Sequence, residues 1–188
     1  MPPLGFLKTI FRLRITLILQ HHPLGSHARQ LYSQYRHRYQ SFVGGRDFEI
    51  KEVNYATQAK RQNGSTMKPL LVYAPAIEFG LIGAGSPVVD VKFKVPGSGY
   101  SPNNYTTNDE RGIIPAREAL ASSQNLAAIR LYSSVRNQNP GQFLEKMNIT
   151  NISQEEYNQL PTAIGGIHNG ITVEQNTNAL NMVYLANE

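Results

Sequence analysis

Residues 61–78 read RQNGSTMKPLLVYAPAIE, a polar turn followed by an apolar run. Ser65 and Lys68 are three positions apart, and this spacing puts both side chains on one side of a helix. A serine hydroxyl becomes a nucleophile when a base lies beside it, and a lysine serves as that base if burial keeps its amine neutral. The simpler interpretation is a helix start followed by a solvated lysine. The rest of the sequence has to decide between the two.

The apolar residues that follow Ser65 have the periodicity of a helix with one buried face. Pro69 has no N–H to donate to the carbonyl of Ser65, so we expect the first turn to be open or of the 3₁₀ type. The residues of the predicted buried face are Met67, Leu70, Leu71, Ala74 and Ile77.

Downstream, the sequence predicts one strand and four further helices. The strand is VVDVKFKV (88–95). Helices are predicted over PAREALASS (115–123), LAAIRLYSSV (126–135) and FLEKMNI (143–149). Thr172 and Gln175 have the spacing of a capping box for a last helix that runs to the end of the chain.

The composition limits the classes of function. The chain has 188 residues, 40% of them hydrophobic, which suffices for one domain or part of a larger one. It has no cysteine, which excludes thiol catalysis and disulfide scaffolds and disfavours a zinc site. His21, His22 and His27 have no carboxylate nearby, so a solvated arm explains them better than metal binding.

The positive net charge of +5 comes largely from residues 1–40, which contain no acidic residue. This arm has no recognisable nucleic-acid-binding module, so we do not expect nucleic-acid binding. Within it, residues 4–19 (LGFLKTIFRLRITLIL) are interrupted by Lys8, Arg12 and Arg14 and are too short to span a membrane. At most, this segment lies on a membrane surface.

A second polar pair follows the helix predicted at 115–123. Ser123 supplies a hydroxyl that can relay protons, and Asn125 supplies an amide that can hold a substrate carbonyl. Ser-x-x-Lys and Ser-x-Asn elements occur together in the active sites of penicillin-recognising enzymes.

The surrounding sequence extends this likeness over residues 42–188. VGGRDF, ATQAKRQNGSTMKPLLVYAPAIE, YSPNNY, REALASSQNLAAIRL and GGIHNGIT occur in that order. Their order and approximate spacing resemble the transpeptidase domain of class A penicillin-binding proteins. The resemblance implies an α+β fold that is mostly α in this chain. That fold is an incomplete penicillin-binding transpeptidase or serine β-lactamase-like fold, with a helical subdomain and part of an antiparallel sheet.

The resemblance also implies an activity, that of a D,D-transpeptidase in peptidoglycan synthesis, of which this chain is expected to be a partial domain. Ser65 is then expected to attack the D-Ala-D-Ala carbonyl of a stem peptide and form an acyl-enzyme, with Lys68 as base. Ser123 is expected to relay the proton and Asn125 to bind the substrate amide. The implied partners are stem peptides and β-lactams, without a metal or cofactor. The implied location is the extracytoplasmic face of the cytoplasmic membrane; the family is membrane-anchored, although this sequence has no predicted transmembrane helix.

Two departures from the family pattern shape these expectations. No Lys-Thr-Gly or Lys-Ser-Gly motif occurs in the sequence, so we expect a truncated domain and a poor catalyst. Residues 1–41 resemble no part of the family, and we interpret them as an out-of-frame or disordered segment; a reading frame shifted over residues 36–41 can encode Asp-Thr-Gly-Ile-Lys-Ala. The alternatives are a non-catalytic remnant of the family or a D,D-carboxypeptidase or β-lactamase relative.

Overall fold

The structure is a computed structural model that describes residues 53–185, with the backbone alone at positions 184 and 185. The predicted boundary at residue 42, the glycine-ended strand at 42–50 and the basic segment 1–41 lie outside the described residues. None of the helices within 53–185 is long and apolar enough to span a membrane.

The segment that contains Ser65 and Lys68 is a helix built in three pieces. A 3₁₀ turn, Gly64–Thr66, leads into a π-helix, Lys68–Tyr73, and then into the α-helix α1, Ala74–Glu78. The expected 3₁₀ first turn is therefore present. The π-helix was not predicted, and the ring of Pro75 gives a reason for it. In a regular α-helix, that ring would collide with the carbonyl four residues earlier, and a wider turn relieves the collision.

The remaining elements follow in a simple order along the chain. Strands β1 and β2 are joined by a long loop, and five more α-helices follow them. The strands are Pro87–Asp90 and Gly112–Pro115, and the helices are α2 (Ala116–Ala121), α3 (Asn125–Val135), α4 (Gly141–Lys146), α5 (Gln154–Tyr157) and α6 (Val173–Leu185).

The two strands form an antiparallel pair, with Pro87 opposite Pro115 and Asp90 opposite Gly112. The predicted strand at 88–95 was too long, since pairing ends at Asp90. Beyond that point the backbone carbonyls of residues 91 and 92 accept hydrogen bonds from the Arg130 guanidinium, which lies over the Phe93 ring. A side chain therefore replaces the partner strand there.

The core is centred on the π-helix. All six residues of Lys68–Tyr73 are buried, so the segment is enclosed on every side rather than on one face as predicted. Helix α3 packs against it and against β1, and contributes the fully buried Leu126, Ile129 and Tyr132. The mixture of helices with one short antiparallel sheet confirms the predicted α+β class.

Three other sequence predictions are confirmed, with small shifts in their ends. Helix α3 begins one residue before the predicted 126–135. Helix α2 begins just after Pro115, which is the last residue of β2 instead of lying in the helix. The capping box is present, because the backbone N–H of Gln175 donates to the Thr172 hydroxyl and that of Thr172 donates to the Gln175 side chain.

The loop that precedes α6 packs closely against the turn that contains Ser65. Gly165 has φ +84°, and a Cβ there would lie 2.3–2.6 Å from backbone atoms of Gly64. Further along the loop, Arg61 and Ile171 exchange two backbone hydrogen bonds of 3.0 and 2.9 Å. The position of Ser65 therefore depends on close backbone contact with this loop.

We expect Gly165→Ala to destabilise the protein by at least about 2 kcal/mol, because it adds both a strained backbone conformation and a steric collision. Urea unfolding of the variant measures this. Gly85→Ala is the matched control, since a Cβ at Gly85 meets no atom within 4 Å and its φ is not in the left-handed region. Equal stability of the two variants would contradict the close contact.

Candidate active site

Lys68 is the centre of a buried polar cluster. Its side chain is completely buried, and Nζ donates to three oxygen atoms: the Ser123 carbonyl at 2.5 Å, the Ser123 Oγ at 2.9 Å and the Asn125 Oδ1 at 2.6 Å. These three bonds use all the donors of an ammonium group. The structure therefore brings three of the four predicted site residues into direct contact.

Two opposing effects set the pKa of Lys68. Burial removes the amine from water and lowers the pKa of Lys68, while the negative charge of Asp90 acts in the opposite direction. Burial dominates, and the pKa falls from 10.5 to about 7. Near neutral pH, both the ammonium and the free amine are therefore populated.

Ser123 is presented to Lys68 by the end of α2. The N–H of Ser123 donates to the Leu120 carbonyl, and that of Gln124 donates to the Ala119 carbonyl, which is the Schellman pattern of a helix C-terminus. Glycine usually occupies the left-handed position of this motif, but here it is Ser123, with φ 58°. The strained backbone directs both the carbonyl and the hydroxyl of one residue at the amine.

Asn125 is the first residue of α3, and both ends of its side-chain amide are bound. Oδ1 accepts from Lys68, and Nδ2 donates to the Asn103 carbonyl at 2.9 Å. Because the two contacts have opposite polarity, they fix which end of the amide faces the lysine.

Ser65 lies in the 3₁₀ turn before Lys68 and is half-buried. Within residues 53–185, none of the hydrogen bonds from Lys68 Nζ reaches Ser65. The turn itself is anchored to α6. Thr66 Oγ1 and Asn63 Nδ2 both donate to Asn176 Oδ1, at 3.0 and 3.3 Å.

A buried carboxylate stabilises the loop behind this turn. Glu156 caps its own helix α5 together with Ser153, and it also accepts the backbone N–H of His168 at 2.7 Å. Burial by itself would raise the pKa of Glu156, but the hydrogen bonds from His168 and Ser153 outweigh it and lower the pKa to about 2. The same loop binds the segment before Ser65, since Gln62 Nε2 donates to the Ile167 carbonyl.

The sequence interpretation missed four residues of this region. Asp90 and Asn104 bind one another beside Asn125, and Asn176 and Glu156 support the Ser65 turn. YSPNNY is one of the segments that resemble the family, yet nothing in it indicates that its second asparagine, Asn104, binds the start of a helix about twenty residues later. Within residues 53–185, no group of three or more His, Cys, Asp or Glu side chains is placed to hold a metal ion.

The chain is similar to known proteins over most of its length. Residues 28–182 match the family model described as the penicillin-binding protein transpeptidase domain. Penicillin-binding protein 4 of Bacillus subtilis (strain 168) is 34% identical over 143 residues, which are 76% of this chain and 22% of that protein. Penicillin-binding protein 1A of Neisseria lactamica is 40% identical over 99 residues, which are 50% of this chain and 12% of that protein. The chain thus spans less than a quarter of these relatives.

Solved structures show the same fold. The penicillin-binding protein PonA1 from Mycobacterium tuberculosis superposes with a TM-score of 0.55 at 21% identity, covering 68% of this chain and 34% of that one. Penicillin-binding protein 1A from Haemophilus influenzae superposes with a TM-score of 0.54 at 26% identity, covering 65% of this chain and 18% of that one.

The backbone strain at Ser123 is measurable. We expect Ser123→Gly to be more stable than Ser123→Ala by about 1 kcal/mol, because both variants lose the hydroxyl but only glycine adopts the left-handed conformation at no steric cost. Denaturant unfolding of the two variants side by side isolates the backbone contribution. Two variants of equal stability would place Ser123 outside the left-handed region.

Proposed function

The chain belongs to the penicillin-binding protein transpeptidase family, and on that premise we propose that it performs the serine acyl-transfer step of a D,D-transpeptidase. The proposed substrates are D-Ala-D-Ala stem peptides, with β-lactams as inhibitors that acylate the same serine. The observation that carries the proposal is the fully buried Lys68 amine, held by Ser123 and Asn125 one helical turn from Ser65.

The proposed reaction begins with Lys68 as the free amine, its proton having passed to solvent water. As an ammonium group, Lys68 satisfies all three of its acceptors; as a free amine it has two donors and one lone pair. Deprotonation therefore releases one acceptor and leaves a lone pair that can take the hydroxyl proton of Ser65. Ser65 Oγ then forms a bond to the substrate carbonyl carbon, and a tetrahedral intermediate results.

The second half of the proposed reaction uses Ser123 and Asn125. The tetrahedral intermediate collapses when the bond to the leaving D-alanine breaks, and the leaving nitrogen must receive a proton. Ser123 Oγ is bonded to Lys68 Nζ at 2.9 Å, so it can pass that proton from the lysine to the leaving group. The Asn125 amide binds the substrate backbone. An amine from a second stem peptide then attacks the ester carbonyl, the bond to Ser65 Oγ breaks, and a proton from the amine returns to Ser65 Oγ through Lys68.

The same chain admits a second candidate function, a non-catalytic remnant of the family. The observation that favours it is that, within residues 53–185, the hydrogen bonds of Lys68 Nζ go to Ser123 and Asn125 and none of them reaches Ser65. For either candidate, we propose a location at the extracytoplasmic face of the cytoplasmic membrane, which is the location that the resemblance to class A penicillin-binding proteins implies.

Covalent labelling with a fluorescent penicillin separates the two candidates. We expect a penicilloyl adduct on Ser65, detected by intact mass and mapped by peptide digestion, and no adduct on Ser65→Ala. Ser133→Ala is a matched control, because Ser133 lies within α3 and its hydroxyl donates to the Ile129 carbonyl. Label on Ser123 would contradict the assignment of the nucleophile, and a folded chain without any adduct would support the remnant.

The role of Lys68 as base predicts a pH dependence. Since the free amine is the active form and its pKa is about 7, acylation should slow as the pH falls below 7 and level off above about 8. Lys68→Arg keeps the charge but cannot release a proton, so we expect labelling to fall about 10²–10⁴-fold. Lys68→Met tests whether a neutral side chain of similar length behaves in the same way. Retained labelling in Lys68→Arg would show that the base lies elsewhere.

A further inference from the structure

Asp90 is a fully buried carboxylate with no part in the reaction proposed above. It lies at the end of β1, and its oxygens accept from the Asn104 side-chain amide at 3.0 and 3.2 Å and from the backbone N–H of Arg111 at 3.0 Å. A carboxylate in this position is costly to bury, so its hydrogen bonds must compensate for lost hydration.

Asn104 carries the effect of Asp90 to helix α3. Its Oδ1 accepts the backbone N–H groups of Asn125 and Leu126, at 2.8 and 3.1 Å. The residue before the helix, Gln124, provides no side-chain cap. The first amides of α3 are therefore capped by a side chain from the loop between β1 and β2, and one of these amides belongs to Asn125, which binds Lys68.

The polarity of these contacts leaves one orientation for the Asn104 amide. An ionised carboxylate only accepts hydrogen bonds, so the NH₂ end of Asn104 must face Asp90. Its oxygen is then the end that faces the N–H groups of α3. Nδ2 also donates to the Asp109 carbonyl at 2.8 Å, which reinforces the same orientation.

We propose that Asp90 and Asn104 form a positioning pair for the transpeptidase site, which fixes the start of α3 and thereby the Asn125 amide against Lys68. The proposal rests on the proposed function for its catalytic meaning. Neither residue touches the reacting atoms; they act through Asn125. The neighbouring Asn103 completes the arrangement, because its carbonyl holds the other end of the Asn125 amide.

The charge of Asp90 reaches the lysine as well as the helix. It opposes the effect of burial on the pKa of Lys68, and together with burial it raises the pKa of Tyr73. Among the other charged groups near this loop, Arg111 pairs with Asp109 and Glu118 and Lys92 pairs with Glu110, while the Arg130 guanidinium binds the backbone carbonyls of residues 91 and 92. Removing the charge of Asp90 should therefore lower the pKa of Lys68 further.

The first test is Asp90→Asn, which changes an acceptor into a group that also donates. The asparagine keeps one oxygen, so its NH₂ faces either the NH₂ of Asn104 or the backbone N–H of Arg111, and in both orientations one contact that holds the pair is replaced by two donors that face one another. We expect hydrogen exchange at the amides of Asn125 and Leu126 to speed up about 10-fold or more. We also expect the pKa of Lys68, followed by NMR of ¹³C-labelled lysine, to fall below that of the wild type.

The second test exchanges the two groups in the double variant Asp90→Asn/Asn104→Asp. The carboxylate at position 104 can accept from the new amide at position 90 and from both N–H groups of α3, where a negative charge suits a helix start. The donor that faced the Asp109 carbonyl becomes an oxygen, so the Asp109 backbone has to move away from it. We expect exchange protection at Asn125 and Leu126 to return to within a few-fold of the wild type, and penicillin labelling to recover with it.

Each outcome decides the proposal. Unchanged exchange at Asn125 and Leu126 in Asp90→Asn overturns it. A double variant whose losses equal the sum of those of Asp90→Asn and of Asn104→Asp, measured beside it, overturns it as well. If Asp90→Asn does not fold, a folded and protected double variant supports the pair, whereas an unfolded one overturns it. Exchange and the lysine titration need no acylation, so a chain that never labels rejects the proposed function without deciding the positioning pair.

Discussion

Burial of the Lys68 amine is the constraint on which the rest of this structure depends. A buried amine must find an acceptor for each N–H, because an unpaired donor in the core is costly. The chain meets this requirement with Ser123 and Asn125, more than fifty residues further along. Helix α2 has to end and α3 has to begin at the amine, and α3 consequently packs along the π-helix. The polar cluster and the hydrophobic core are therefore one arrangement.

Two layers of support surround this cluster, and they act on different residues. The loop that precedes α6 holds the Ser65 turn through backbone contacts, and Asn176 of α6 holds it through side-chain hydrogen bonds. The loop between β1 and β2 holds Asn125 through Asn103 and Asn104. The nucleophile and the amide that is proposed to bind the substrate are thus positioned by separate parts of the chain, and both parts meet at Lys68.

The sequence predicted those parts of the structure that local patterns determine. The helices at 126–135 and after Thr172 follow from apolar periodicity and a capping box, and the grouping of Lys68, Ser123 and Asn125 follows from the family resemblance. Strand β2 was missed because its four residues contain a glycine and a proline and pair with a distant segment. The Asp90–Asn104 pair was missed because its contacts join residues far apart in the chain, and no spacing rule encodes them. The catalytic roles of the four site residues remain predictions.

The π-helix makes the site sensitive to the length of the chain. A π turn holds one residue more than an α turn, so deletion of one residue between Lys68 and Tyr73 has one of two results. If the turn returns to α-helical geometry, the flanking segments keep their register, but the ring of Pro75 meets the carbonyl four residues earlier. If the turn stays wide, the part before the deletion rotates by about 100° around the helix axis, and Ser65 and Lys68 face away from Ser123. Loss of a single codon in this segment therefore damages the site without any change to a site residue.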